Sequence, residues 1–192
     1  MIFKESILPG AYSIELEKRG DERGFFARAW CRQEFGRVGL NTGIVQANVS
    51  RTQARGTIRG MHLQVSPAAE TKLVRCVRGA VLDVICDLRL DSPTFRLWEG
   101  FELTDSNHRA VYVPEGFAHG FQALTDDVEL FYQVTAYYSP EHERGVRYDD
   151  PEIGIEWPLE ASVVSEKDAS WPPLAASGLL VRPLANAGDK QK

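Results

Sequence analysis

Short apolar runs, cut at close intervals by glycine, proline and aspartate, leave this chain little room for anything but a stack of β-strands. Tyr12 to Leu16 alternates. Val128 to Val134 also alternates, with Val128, Leu130, Tyr132 and Val134 on one face. Leu73 to Leu88 is apolar on both faces in places and breaks at Arg78-Gly79-Ala80, which reads as a hairpin turn between two buried strands. Ala110 to Val113 forms another strand ending at Pro114. Helical signals are few: Arg32 to Val38, stopped by Gly39, and a capped turn from Ser139 to Glu143 with proline at its first helical position. Many short strands with frequent turns predict an all-β sandwich or jelly roll of antiparallel strands with a few short helices.

A chain of 192 residues suggests one domain, or one domain with a tail, and is long enough to bury a core unaided. Small and polar residues dominate from Ala175 onward, so the domain is expected over 1–174 and a flexible tail over 175–192, with Leu179-Leu180-Val181 as a segment able to dock. The formal net charge of -5 provides no basic field, so neither nucleic acid nor an acidic lipid surface is an expected partner. Three unpaired cysteines, Cys31, Cys76 and Cys86, read as reduced thiols, the last two as buried spacers. The first ten residues hold no long apolar run, and no stretch approaches a membrane span; a cytoplasmic protein is expected.

Chemistry is concentrated in three strand-like segments: Arg59-Gly60-Met61-His62-Leu63-Gln64, Lys72-Leu73-Val74-Arg75 and Pro114-Glu115-Gly116-Phe117-Ala118-His119-Gly120. A histidine, a lysine, a tyrosine and a carboxylate make a set suited to moving protons beside a carbonyl. Arg59 and His62 are three apart, so plain alternation puts them on opposite faces; a bulge at Gly60 would bring both to one cavity. Each residue also has a simpler reading. A lone strand histidine is commonly structural, Lys72 at the end of an apolar strand face can snorkel to water, and Tyr132 fits a core tyrosine with its hydroxyl at the rim. Arg23, Arg59 and Lys167 taken singly read as solvated charges; with Gln46 and Asn48, which share a strand face, they form a set able to clamp a diphosphate and a base. Ser165-Glu166-Lys167-Asp168 is a turn or helix cap that offers Asp168 as a carboxylate to orient a histidine.

Pro114 to His119 has the Pro-x-Gly-x-x-His spacing of the second cupin motif, whose histidine is a ligand in metal cupins. The first motif needs two histidines one residue apart, and the only histidines are His62, His108, His119 and His142. The motif therefore supports the fold more than it supports a metal, and neither metal nor cofactor is expected.

A longer ordered set carries a resemblance. Asp21-Glu22-Arg23-Gly24-Phe25-Phe26, Gln46-Ala47-Asn48-Val49-Ser50, the three segments above, Asp87-Leu88-Arg89, Ser92-Pro93-Thr94-Phe95, Tyr137-Tyr138-Ser139-Pro140-Glu141-His142-Glu143-Arg144-Gly145 and Ser165-Glu166-Lys167-Asp168 together resemble the dTDP-4-dehydrorhamnose 3,5-epimerases. The resemblance implies a cofactor-free, metal-free cupin-type jelly roll that works as a homodimer on dTDP-4-keto-6-deoxyglucose, with inversion at C3 and C5 toward dTDP-4-keto-rhamnose; the expectation carried forward is an epimerase of a nucleotide-linked 4-keto-6-deoxy sugar that inverts C3, C5 or both. It implies His62 as base supported by Asp168, Tyr132 as acid on the opposite face of the sugar, and Lys72 as the stabiliser of the enolate. It implies Arg23, Gln46, Asn48, Arg59, His119, Tyr138, Glu143 and Lys167 as nucleotide-sugar contacts, with one partner's N-terminal segment reaching the other's site.

Four positions depart from the family pattern. Arg28 stands where an acid usually contacts the base, and Ala47, Val49 and Leu63 replace an aspartate, a histidine or aromatic, and an aromatic. The proton-transfer set is intact while the nucleotide side is altered, so Arg28 is expected to weaken or change base preference, because a guanidinium has donors only. One base is expected to serve both carbons, there being no second histidine at an equivalent place. The alternatives are an epimerase for a different nucleotide sugar, and a sugar-binding jelly roll without chemistry.

Overall fold

The strands of this chain pair into two antiparallel sheets that pack face to face; a computed structural model describes residues 1–179. In chain order come β1 (Ile2–Glu5), β2 (Tyr12–Glu15), β3 (Arg19–Asp21), β4 (Gly24–Phe26) and the helix α1 (Arg32–Arg37). Then follow β5 (Gln46–Thr52), β6 (Ile58–Gln64), β7 (Lys72–Arg78), β8 (Ala80–Asp87), β9 (Trp98–Thr104), β10 (Ala110–Val113), β11 (Phe117–Ala123) and β12 (Val128–Val134). The chain closes with β13 (Glu143–Gly145), α2 (Glu166–Ala169) and α3 (Leu174–Ser177). One sheet has the order β1-β2-β10-β7-β12-β5, the other β13-β6-β11-β8-β9; β3 and β4 form a separate hairpin.

Alternation decides what fills the space between the sheets. Val128, Leu130 and Val134 of β12 are buried and Tyr132 is partly so, while Phe131 between them is exposed. Val74 and Cys76 of β7 meet Val81 and Ile85 of β8 and Phe117 and Phe121 of β11 in one apolar core. Burial drives the Cys76 and Cys86 thiols up to about 11 and about 12, so both act as small apolar fillers, and all three cysteines are free.

The turn at Arg78-Gly79-Ala80 is not a hairpin. β7 pairs with β10 and β12, whereas β8 pairs with β11 and β9, so the chain crosses here from one sheet to the other. Gly79 makes the corner with φ +76, and a Cβ there would stand 2.6 Å from Thr125 Oγ1. Two buried runs joined by a glycine look alike in sequence whether they pair with each other or with other strands.

The expected bulge is present. His119 pairs with His62 but Phe121 pairs with Arg59, so β6 carries one residue more than β11 across this stretch. Gly60 takes φ +130, and a Cβ on it would lie 2.6 Å from Gly120 Cα and 2.9 Å from the His119 carbonyl oxygen. Both obstacles are backbone and cannot swing aside. Gly60→Ala is therefore expected to lose about 1–3 kcal/mol of stability, read as a drop in Tm of roughly 2–4 °C per kcal/mol for a chain this size.

The segment after β13 lies over the outer face of the five-stranded sheet. Val146, Ile153, Leu174 and Leu179 pack there against Met61, Leu63, Val84 and Ala118. Packing on this face continues past residue 174, through α3 to Leu179; of the Leu179-Leu180-Val181 segment only Leu179 is described, and the rest of the expected tail lies outside the described residues. The helix expected at Arg32 to Val38 is α1, with Phe35 buried against Phe3 and Tyr112. The turn after Ser139 is a 3-10 turn, Pro140–His142. Among the described residues no helix is long and apolar enough to cross a membrane.

Candidate active site

Two cavities open between the sheets and meet at three side chains. The larger, about 470 Å³, is lined by residues that include Arg59, His62, Lys72, His119, Tyr132, Lys167 and Asp168. The smaller, about 320 Å³, is lined by Gln46, Asn48, Glu70, Tyr138 and Glu143, and again by His62, Lys72 and Tyr132. His62 enters from β6 of the five-stranded sheet; Lys72 and Tyr132 enter from β7 and β12 of the six-stranded one. A flat group held at this junction is approached from two sides by different side chains.

Asp168 arrives from a different part of the chain. The strand β6 has an open edge before β13 begins, and there Ile58 donates its N–H to the Val163 carbonyl at 2.9 Å. This bridge brings in Ser165, whose hydroxyl caps α2 by accepting the Asp168 N–H at 3.1 Å. Asp168 Oδ1 then stands 2.6 Å from His62 Nε2, and its Oδ2 accepts the Gly60 N–H at 3.1 Å. Burial pushes the Asp168 pKa up, but the bonds from His62, Gly60 and Ser165 outweigh it and hold the carboxyl below its usual range. The Trp171 ring lies against Gly145 and edge-on to His62, with centroids 6.3 Å apart.

The other side chains are braced in turn. Arg59 donates from Nε to Thr52 Oγ1 and from Nη2 to the Arg51 carbonyl, both at 3.0 Å. Gln46 Nε2 donates to Asn48 Oδ1 at 2.9 Å. Glu143 accepts from Lys167 Nζ and from the Tyr138 hydroxyl, each at 2.7 Å; these contacts overcome its burial and lower its pKa. Burial, followed by the charge of Glu70 and against that of Arg59, raises the Tyr132 pKa, so the phenol keeps its proton beyond the ordinary tyrosine range.

Eleven of the thirteen residues expected at the site therefore line these two cavities. Arg23 and Arg28 do not. Arg23 lies in the β3–β4 turn, exposed and paired with Asp21 at 2.5 Å. Arg28 follows the hairpin and donates from Nη1 to Glu34 Oε1 at 2.7 Å, so within one chain this guanidinium is spent on a neighbouring carboxylate.

Two carboxylates at the site escaped the sequence reading. Asp83 is fully buried, and its Oδ2 lies 2.9 Å from His119 Nε2, making a second histidine–aspartate pair directly across the sheet from His62. An aspartate in the otherwise apolar run Val81-Leu82-Asp83-Val84-Ile85 was the available signal. Glu70 reaches to 3.4 Å from Lys72 Nζ. Among the described residues no cluster of three or more His, Cys, Asp or Glu side chains is arranged to hold a metal ion.

Comparison with known proteins fits this geometry. The family model for dTDP-4-dehydrorhamnose 3,5-epimerase matches residues 5–176. The chain belongs to this family. A dTDP-4-dehydrorhamnose 3,5-epimerase from Sinorhizobium fredii is 45% identical over 175 residues, which span 91% of this chain and 90% of that relative. The crystal structure of dTDP-6-deoxy-D-glucose-3,5-epimerase from Legionella pneumophila, in complex with dTDP-4-keto-L-rhamnose, superposes with a TM-score of 0.88 at 39% identity, covering 96% of this chain and 99% of that one. A dTDP-4-dehydrorhamnose 3-epimerase from Streptomyces niveus is 41% identical over 162 residues, 84% of this chain and 78% of that relative. The epimerase family's all-β, cupin-type jelly roll is the fold described above.

Proposed function

We propose that this protein is a cofactor-independent epimerase of a dTDP-linked 4-keto-6-deoxy sugar. The observation that carries the reading is His62 on one sheet, held by Asp168 of α2, facing Tyr132 and Lys72 on the other sheet at the junction of two cavities. A 4-keto group acidifies the C–H bonds at C3 and C5. Asp168 engages Nε2 of His62, leaving Nδ1 as the free ring nitrogen to take such a proton. The Lys72 ammonium lies where it meets the developing enolate oxygen, a contribution whose loss costs roughly 3–4 kcal/mol in comparable sites. Tyr132 returns a proton from the other side, and General acid–base help of this kind is worth roughly 10²–10⁴-fold. Arg59, His119 and Lys167 on one side, and Gln46, Asn48, Tyr138 and Glu143 on the other, hold the nucleotide sugar. The two cavities divide the nucleotide sugar between them.

The test is incubation with dTDP-4-keto-6-deoxyglucose in D₂O, followed by NMR. Deuterium at both C3 and C5 with inverted product is the expected result; deuterium at C3 alone would class the protein with 3-epimerases such as its Streptomyces niveus relative. No exchange at either carbon would leave only a sugar-binding jelly roll.

The working unit is a homodimer in which the β3–β4 hairpin serves the partner's site. The support is the hairpin itself, which projects Phe25 and Phe26 at 48% and 72% exposure and holds Arg23 away from both cavities of its own chain. Arg23→Ala is expected to raise KM severalfold while leaving kcat close to that of the wild type, since it removes a binding contact made equally in ground and transition states. An active monomer by light scattering at micromolar concentration would refute this arrangement.

A further inference from the structure

Glu70 is a nearly buried acid that the proposed chemistry does not use. Its side chain is 11% exposed, and the Lys72 side chain 3.4 Å away is 13% exposed. It lines only the smaller cavity, whereas Lys72 lines both. An ion pair this deeply buried is weak evidence for stability, because removing both charges from water offsets most of their attraction. A positional role fits better. Lysine carries its charge on a flexible four-carbon stem, and below Lys72 on the same face lie only Val74 and Cys76, neither of which can hold an ammonium. Glu70 Oε1, 3.4 Å away, is the charged group beside Lys72 Nζ.

We propose that Glu70 is a positioning residue that tethers the Lys72 ammonium at the junction of the two cavities. This rests on the epimerase reading above. An ammonium has three N–H donors, so one directed at Glu70 leaves two for the enolate oxygen. The tether fixes the donor before charge develops, which is the condition for a large contribution to the barrier. The same carboxylate acts on the acid: its charge adds to burial in keeping the Tyr132 phenol protonated.

The experiment compares wild type with Glu70→Gln and Glu70→Ala, folding being checked by circular dichroism and Tm. On free protein, the rate of reductive methylation at Lys72 is read by peptide mass spectrometry. It is expected to rise severalfold in both variants as the ammonium is released. With substrate, kcat is expected to fall tenfold or more, on the order of a lost charged hydrogen bond, while KM changes less than about twofold. An unchanged methylation rate in both variants would overturn the tether whatever the activity does. Faster methylation with wild-type kcat would overturn its part in the reaction. A wild type without turnover would refute the epimerase reading instead, and the methylation arm would still decide the tether.

Discussion

His62→Asn is expected to abolish solvent exchange at both C3 and C5, with turnover falling by roughly 10²–10⁴-fold, the range of a lost general base. Asparagine keeps the size and a donor toward Asp168 but has no basic nitrogen. Deuterium incorporation followed by NMR separates the two carbons. The structure sharpens this test, because His119 stands directly across from His62 with its own carboxylate, Asp83. The expectation that no second histidine occupies an equivalent place was drawn from motifs alone. Exchange surviving at one carbon in His62→Asn, and disappearing in His62→Asn/His119→Asn, would assign that carbon to the second pair and end the single-base mechanism. Asp168→Asn should cost less than His62→Asn, because in the proposed mechanism Asp168 orients the ring and does not carry the transferred proton.

Tyr132→Phe is expected to leave proton abstraction intact but block completion of inversion at C5. Deuterium should then enter without the normal product accumulating. Tyr132 enters the cavity from the sheet opposite His62, as the proposed acid must, and phenylalanine fills the same space beside Val74 without the hydroxyl. The pH profile gives a second reading. Because the Tyr132 pKa is raised, its acid form persists through neutral pH, and any loss of turnover from its ionisation comes above the ordinary tyrosine range. Tyr132→Phe should remove that alkaline limb. A wild-type product distribution in the variant would take Tyr132 out of the mechanism.

Much of this arrangement was legible from residue patterns, for identifiable reasons. The Val128 to Val134 alternation placed Tyr132 on the inner face because strand periodicity is local. Gly60 announced a bulge because only glycine tolerates the conformation found there. What stayed hidden depends on partners distant in sequence. Gly79 marks a turn, but not whether the strands it joins will pair together. Asp83 and Glu70 matter through the residues they face, His119 and Lys72, and Asp83 lies 36 positions from its partner. Arg23 and Arg28 were assigned to the nucleotide by resemblance, and neither lines a cavity of its own chain that holds His62. For Arg28 the Glu34 contact adds an answer of its own: a guanidinium already paired has less to offer a base.

The bond between His62 and Asp168 joins residues 106 positions apart, and the aspartate belongs to a segment laid on the sheets from outside. Among the described residues, every strand of both sheets precedes Ser165. During synthesis the strands that carry His62, Lys72 and Tyr132 can therefore pair before Asp168 has left the ribosome, and the larger cavity gains its last wall only when that segment arrives. The last wall of the cavity and the partner of His62 are the same late segment, so an incompletely made chain can hold its paired sheets and still lack the carboxylate that the proposed base needs.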